Sequence, residues 1–71
     1  MSKPVAPSAL GRRVKRLREA RGLSQRSLAA KVKVSPGLIH LLERGEVHDV
    51  RSWVVVKLAK ALGVSLTELL G

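Results

Sequence analysis

Basic side chains are the main chemical feature of this sequence. The chain has 14 Lys or Arg against five Asp or Glu, a formal net charge of +9. Residues 1–35 hold ten of the basic residues and one acid, whereas residues 36–71 hold four of each sign. Such a concentration of positive charge attracts a polyanion, either a nucleic acid or an anionic membrane surface. The chemistry that the composition indicates is therefore electrostatic binding.

Residue types that could carry out catalysis or bind a metal are not grouped in this sequence. No nucleophile is spaced to pair with a base, and no glycine-rich loop follows a strand pattern. The two histidines, His40 and His48, are accompanied by no Cys and do not form a zinc motif. We expect no enzyme activity, no metal, no cofactor and no small-molecule ligand.

Length and hydropathy limit the kind of protein that these residues form. At 71 residues, the chain is close to the smallest size at which one core holds a fold without disulfides or metals. It has no secretory signal and no apolar run of about 20 residues, so we expect a cytoplasmic protein with no membrane partner. Trp53 is the only aromatic residue, and the core must therefore be aliphatic.

Five helices are predicted to position the polar side chains. Serines suited to helix N-caps alternate along the chain with glycines suited to C-terminal caps, and Ser8 is the first expected N-cap. We expect helices at about residues 9–21, 25–32, 36–44, 51–62 and 66–70, with residues 1–8 as a flexible tail and residues 9–71 as one domain. The predicted fold class is all-α, a compact bundle.

Helical spacing of apolar residues predicts the core and one motif. The predicted core positions are Leu10, Val14, Leu17, Leu28, Val32, Ile39, Leu42, Leu58 and Leu62. The second and third helices are joined by the short turn KVKVS, and Ala29 before it is small enough for a close helix crossing, which is the geometry of a helix-turn-helix. In WVVVKLAKAL the valines favour a strand, but KLAKAL restores helical spacing.

Two stretches, LREARGLSQRSLAAKVKVSPGLIHLLERG and KLAKALGVSLTELL, resemble the helix-turn-helix domain of phage repressors and Cro, the XRE family. GLSQ before the second helix, VS before the third, ERG after it and LAKALGVS occur in the family's order and spacing. The resemblance covers residues 9–71 and implies a lambda repressor-like fold that binds double-stranded DNA. It also implies a transcriptional regulator, a repressor or small controller protein, with helix 36–44 in the major groove.

The resemblance assigns roles to individual positions. Candidates to face base edges are Ser35, Pro36, Gly37, His40 and Leu41, with Arg44 on the same outward face. Candidates for phosphate contact are Gln25, Arg26, Lys33 and Arg51. Arg18 and Glu43 match a structural ion pair that ties the first helix to the end of the third. Lys33 occupies a turn position where the family often has Gly, so we expect a positive φ there.

Few of the base-facing candidates have polar groups able to read a base. Only Ser35, His40 and Arg44 offer hydrogen bonds, while Leu41 is suited to contact a thymine methyl group. We therefore expect modest direct readout, with affinity drawn mainly from phosphate contacts and DNA shape. His40 is either a base reader or simply an exposed polar residue.

The residues of the fourth and fifth helices raise the question of a partner. Trp53 either fills the core in place of Ser52 or stands on the surface with Val54, where both would suit a dimer interface together with Leu66 and Leu70. We expect a homodimer. Two alternative functions remain open: an antitoxin-like or adaptor protein that binds a protein partner, and a nucleic-acid binder without sequence preference.

Overall fold

Five α-helices make up most of the chain in the computed structural model, which describes residues 7–47 and 50–71. In chain order they are α1 (Pro7–Ala20), α2 (Gln25–Val32), α3 (Pro36–Glu43), α4 (Ser52–Leu62) and α5 (Leu66–Leu70). Neither of the two described stretches contains a strand. The prediction of an all-α fold with five helices is confirmed.

Helix boundaries differ from the prediction by at most two residues. The largest difference is at α1, which begins at Pro7 and includes Ser8, so Ser8 is not its N-cap and the predicted tail is too long. Proline suits the first turn of a helix because an N–H there has no partner within the helix. The remainder of the predicted tail, residues 1–6, and His48 lie outside the described residues.

Serine caps begin α2, α3 and α5. The side-chain oxygens of Ser24, Ser35 and Ser65 each accept a hydrogen bond from the backbone N–H three residues on, at 3.0, 3.2 and 3.0 Å respectively. Each bond satisfies one of the N–H groups that the start of a helix leaves without a partner. The serines that the sequence offered as N-caps at these three positions therefore do cap their helices.

Lys33 makes the short turn between α2 and α3. Its φ is 64°, the left-handed conformation expected for this position, and the N–H groups of Lys33 and Val34 both donate to the carbonyl of Ala29. These bonds satisfy a carbonyl that the end of α2 would otherwise leave free. Since Ala29 is also fully buried, its small side chain lets α3 pack closely across α2.

All five helices contribute to one aliphatic core. Its buried members are Leu10, Val14, Leu28, Ala29, Val32, Ile39, Leu42, Val54, Val55, Leu58, Ala59, Leu62 and Leu69. The predicted core positions are among them except Leu17, which is half-buried and packs against the cluster. Burying such side chains contributes about 1.5 to 3 kcal/mol each, which is how a chain of this size holds its fold.

The contact between α1 and α3 depends on Gly11. A Cβ atom at this position would lie 2.0 Å from the carbonyl oxygen of Leu42, far inside van der Waals contact. The backbones of α1 and α3 therefore approach each other more closely than any residue with a side chain would allow. This approach orients α3 on the bundle.

Across the described part of the chain, no helix has the length and apolar character needed to cross a membrane.

Candidate nucleic-acid interface

Helix α3 has a buried face and a free face. Ile39 and Leu42 are 0% and 1% exposed and anchor the helix in the core. Every residue predicted to face base edges is exposed: Ser35, Pro36, Gly37, His40, Leu41 and Arg44. The packing that fixes α3 to the bundle therefore leaves the candidate reading surface uncovered.

The N-terminal turn of α3 is suited to close approach by a large ligand. Pro36 begins the helix after the Ser35 cap, and the nearest atom to a Cβ placed on Gly37 is the Ser35 hydroxyl oxygen at 4.0 Å. None of the described residues fills the space above Gly37. Leu41 is 43% exposed and presents its methyl groups beside His40.

Arg44 stands apart from the other base-facing candidates. It caps the C-terminus of α3, and its Nε lies 3.2 Å from the Glu46 carboxylate in an exposed ion pair. With a rise of about 1.5 Å per residue, Arg44 lies about 12 Å along the helix axis from Pro36. The structure thus groups the first five candidates and leaves Arg44 at the far end of the helix.

The phosphate-contact candidates lie on elements that flank α3. Arg26 in the first turn of α2, Lys33 in the turn before α3 and Arg51 are exposed, while Gln25 is half-buried. Arg51 occupies the N-cap position of α4 but makes no capping hydrogen bond through its side chain. The first N–H groups of α4 and the exposed, positively charged side chain of Arg51 both favour an anion at this end of the helix.

Arg18, Glu43 and Gln25 form one network that joins three helices. Arg18 Nε donates to Glu43 Oε2 at 2.7 Å and Arg18 Nη2 donates to Glu43 Oε1 at 3.0 Å. Gln25 Nε2 also donates to Glu43 Oε1, at 3.0 Å, and Arg18 Nη1 donates to the Leu23 carbonyl at 2.8 Å. The end of α1, the start of α2 and the end of α3 are thereby held together.

The charges of this network stabilise each other. Burial disfavours the charged form of Glu43, but hydrogen bonds from Arg18 and Gln25 and the charge of Arg18 outweigh it and lower the pKa of Glu43 below its ordinary value. The hydrogen bond to Glu43 raises the pKa of Arg18. Glu43 therefore remains ionised as a structural group, and Gln25 is held in a fixed position at the start of α2.

The surface of α4 differs from what the sequence predicted. Trp53 is 47% exposed, as one alternative proposed, but Val54 is 4% exposed and belongs to the core. The prediction of Val54 as an interface residue is wrong, because α4 turns Val54 inward and Ser52 outward.

A separate apolar cleft of about 300 Å³ between α4 and α5 is lined by Val50, Ser52, Val55, Val56, Leu66 and Leu70. Two of the predicted interface residues, Leu66 and Leu70, therefore line the same cleft, whereas Trp53 lies outside it.

Two features of the site were not found from the sequence. The resemblance implies that Gln25 supports helix 36–44, but its partner Glu43 lies 18 positions away in the sequence, and no local pattern indicates that pair. The close contact at Gly11 had a signal, because a glycine inside a helical pattern often marks a close approach of backbones. Within residues 7–47 and 50–71, no three His, Asp or Glu side chains are grouped as metal ligands.

Comparison with known proteins places the chain in a family. The model of the helix-turn-helix domain family matches residues 9–70, so the chain belongs to that family, and its resemblance to phage repressors and Cro is confirmed. Comparison with curated protein sequences finds no significant match.

Several solved structures share the fold. The restriction-modification controller protein C.AhdI from Aeromonas hydrophila is 35% identical, with a TM-score of 0.83 over 89% of this chain and 94% of that one. The clp gene regulator ClgR from Corynebacterium glutamicum is 35% identical, with a TM-score of 0.86 over 97% and 72%. SinR, a master regulator for biofilm formation solved in complex with DNA, is 29% identical, with a TM-score of 0.82 over 87% and 98%.

Proposed function

We propose that this protein is a sequence-specific DNA-binding transcriptional regulator that inserts α3 into the major groove of double-stranded DNA. The observation that carries the proposal is the free face of α3, where five candidate readers are exposed and Ile39 and Leu42 anchor the opposite face. An α-helix fits the major groove, and in a helix-turn-helix the second helix of the motif occupies it.

Phosphate contacts on either side of α3 support the same orientation. Gln25 begins α2 and Arg51 precedes α4, so both lie at helix N-termini, where free N–H groups favour an anion. Gln25 Nε2 has a second hydrogen available beyond the one given to Glu43, so the network positions the amide without using all of its donors. Arg26 and Lys33 add exposed charge to the same motif.

Sequence preference in this proposal comes from a small set of contacts. Ser35 and His40 supply hydrogen bonds to base edges, Leu41 contacts a thymine methyl group, and Gly37 allows the backbone to approach. Affinity comes chiefly from the phosphates and from the deformability of the DNA. The function requires no catalysis, and we place it in the cytoplasm.

We also propose that the protein binds DNA as a homodimer. The α4–α5 cleft is apolar and exposes Leu66 and Val56, and a second copy of the chain would bury both. A twofold dimer reads two half-sites about 34 to 36 Å apart, one turn of the duplex. The similarity to C.AhdI, which spans nearly the whole of both chains, supports a small regulator of this kind, a repressor or controller that acts by occupying an operator.

A protein-binding role is the second candidate, favoured by one observation. A solved complex of SinR with SinI contains a chain that is 30% identical, with a TM-score of 0.81 over 86% of this chain and 59% of that one. The apolar α4–α5 cleft is a surface on which a different protein, rather than a second copy, would dock in an antitoxin-like or adaptor function. DNA binding and partner binding use different faces in this case.

The salt dependence of DNA binding tests the proposed orientation. A duplex of about 30 base pairs of arbitrary sequence serves as the probe, because phosphate contacts are independent of sequence. For about eight neutralised phosphates, the logarithm of the binding constant falls against the logarithm of salt with a slope near −7. Arg51→Ala should flatten that slope by about 0.9.

Lys60→Ala is the matched control. It removes one exposed positive charge from the same helix, about 13 Å further along its axis. The slope of this variant should equal that of the wild type. Equal slopes for Arg51→Ala, Lys60→Ala and wild type would overturn the orientation, and absence of binding to any duplex would overturn the function itself.

A further inference from the structure

A second basic surface lies between α2 and α4, away from the DNA-facing residues. A cleft of about 350 Å³ there is lined by Lys31, Lys57, Lys60 and Ala61. We refer to Lys31, Lys57 and Lys60 as the lysine cleft. All three side chains are exposed. They come from two helices that pack against each other, so the fold, and not proximity in sequence, creates this concentration of charge.

The lysine cleft carries positive charge that the described residues do not neutralise. Over residues 7–47 and 50–71, the ion pairs are Arg18 with Glu43 and Arg44 with Glu46, and neither involves the lysine cleft. Three ammonium groups around one depression repel one another, and a bound anion relieves that repulsion. The cleft is therefore electrostatically complementary to a ligand with several negative charges.

The cleft also has an apolar side. Ala61 lies in its lining. Trp53 does not line the cleft, but Lys57 Nζ lies 5.5 Å from the centre of its ring, and this cation–π contact places Trp53 at the edge of the cleft. Trp53, Lys57 and Lys60 follow one another at intervals of four and three residues, so they share the outward face of α4. Trp53 is 47% exposed and offers a flat apolar surface beside the charges. Tryptophan is enriched in the centres of protein interfaces.

The position of the cleft separates it from the proposed DNA contacts, an argument that rests on the proposed function. Lys31 lies in the last turn of α2, at the opposite end from Gln25. Lys60 lies in the last turn of α4, about 13 Å along the axis from Arg51. A duplex held at the N-terminal ends of α2 and α4 leaves Lys60 facing away from it. Lys31 is two residues before the phosphate candidate Lys33, and side chains two positions apart on a helix do not share a face.

We propose that the lysine cleft, with Trp53 at its edge, is a docking surface for an acidic segment of a second protein. Carboxylates of that segment pair with the three ammonium groups, and an apolar side chain packs on Trp53 and Ala61. A protein segment fits better than a second nucleic acid because it combines negative charges with apolar groups. The charged surface of a duplex would leave Ala61 and the exposed ring of Trp53 without an apolar partner. The regulator can hold this segment while it is bound to DNA.

Trp53 gives a direct test of this docking surface. It is the only aromatic residue in the chain, so intrinsic fluorescence reports this surface alone. The probe is a labelled synthetic peptide of about 12 residues with about six glutamates interspersed with leucines, and a peptide with Gln in place of Glu is its control. Saturable binding of the acidic peptide, seen in its anisotropy and in a shift of Trp53 emission, is expected. The Gln peptide should bind at least tenfold more weakly.

Charge removal distinguishes the cleft from general attraction. The variant K31Q/K57Q/K60Q should bind the acidic peptide about tenfold more weakly than wild type, because each exposed ion pair contributes modestly and this variant loses three of them. A control variant, R12Q/K15Q/R16Q, removes the same charge from exposed positions of α1 and should retain nearly all of the affinity. Equal losses in the two variants would overturn the proposal, as would a Trp53 emission that the peptide does not change.

DNA binding by the same variants separates this proposal from the proposed function. The salt slope for duplex binding should be the same in K31Q/K57Q/K60Q as in wild type. A flattened slope would place the lysines in the DNA interface and overturn the docking surface. Failure of the wild type to bind any duplex would overturn the proposed function, while peptide binding at Trp53 would still be observed.

Discussion

Arg18 and Glu43 form a bidentate ion pair that joins the end of α1 to the end of α3. The distances are 2.7 Å from Arg18 Nε to Glu43 Oε2 and 3.0 Å from Nη2 to Oε1. The side chains are 11% and 3% exposed, so the pair is largely removed from water. The same carboxylate accepts from Gln25, and one buried group thus sets the relative positions of the candidate reading helix and a candidate phosphate contact.

The first prediction concerns the stability that depends on this pair. Glu43→Ala should lower the free energy of unfolding by about 3 to 5 kcal/mol, because the Arg18 guanidinium remains buried without its partner. The double variant R18A/E43A should lose less than the sum of the two single variants, by at least about 1 kcal/mol. Urea unfolding of the four proteins gives this coupling. Additive losses would show that the two side chains act independently.

The second prediction concerns pH. The folded pKa of Glu43 lies below its ordinary value of 4.5, so the unfolded chain takes up a proton at this residue at a higher pH than the folded chain does. The pair's contribution is fully present above about pH 5 and is lost as the pH falls below 4.5 through the folded pKa. Unfolding curves between about pH 6 and pH 3 should show falling stability in wild type and a weaker fall in Glu43→Gln. Parallel curves would contradict this assignment.

The third prediction compares two glycines. Gly11→Ala should cost about 3 kcal/mol of stability, because the new Cβ meets the backbone of Leu42, which cannot move without shifting α3. Gly37→Ala should stabilise the fold by about 0.5 to 1 kcal/mol, since the space is open and alanine favours a helix. The stabilised variant should bind DNA more weakly, because its methyl group blocks the approach to the base edges. Unchanged DNA affinity for Gly37→Ala would remove Gly37 from the interface.

The fourth prediction concerns the turn before the candidate reading helix. Lys33 has a φ of 64°, which costs an ordinary residue about 1 to 2 kcal/mol and glycine nothing. Lys33→Gly should therefore raise the free energy of unfolding by about 1 kcal/mol while it flattens the salt slope of DNA binding by about 0.9. Lys31→Gly, two residues earlier and within α2, should instead destabilise the protein by about 1 kcal/mol. Destabilisation of both variants would contradict the strain argument.

The five helices could be predicted from the sequence because their signals are local. Ser24, Ser35 and Ser65 bind N–H groups three residues away, and each apolar stripe repeats within its own helix. The positive φ of Lys33 was also predicted, because the resemblance places Lys33 at a turn position where the family often has Gly. N-caps and apolar spacing depend only on residues within one helix or turn, so the sequence alone is enough to identify them.

The rotation of α4 could not be predicted in the same way. Trp53, Val54, Val55 and Val56 are four consecutive apolar residues, and such a run does not indicate which face of the helix is buried. Packing against α2 and α5 decides it, so Val54 and Val55 enter the core while Trp53 and Val56 remain exposed. The lysine cleft has the same origin, because Lys31 and Lys57 come together only when α2 and α4 pack.

Sequence-specific reading by α3 is best tested by selecting preferred duplexes from a random pool, at about physiological salt, and measuring the stoichiometry of the bound species. We expect an enriched palindrome whose half-sites are one turn, about 34 to 36 Å, apart and which is bound by two chains. His40→Ala should relax the preference at one position of each half-site, by about 1 to 3 kcal/mol. Binding without any enrichment would contradict sequence-specific reading by α3.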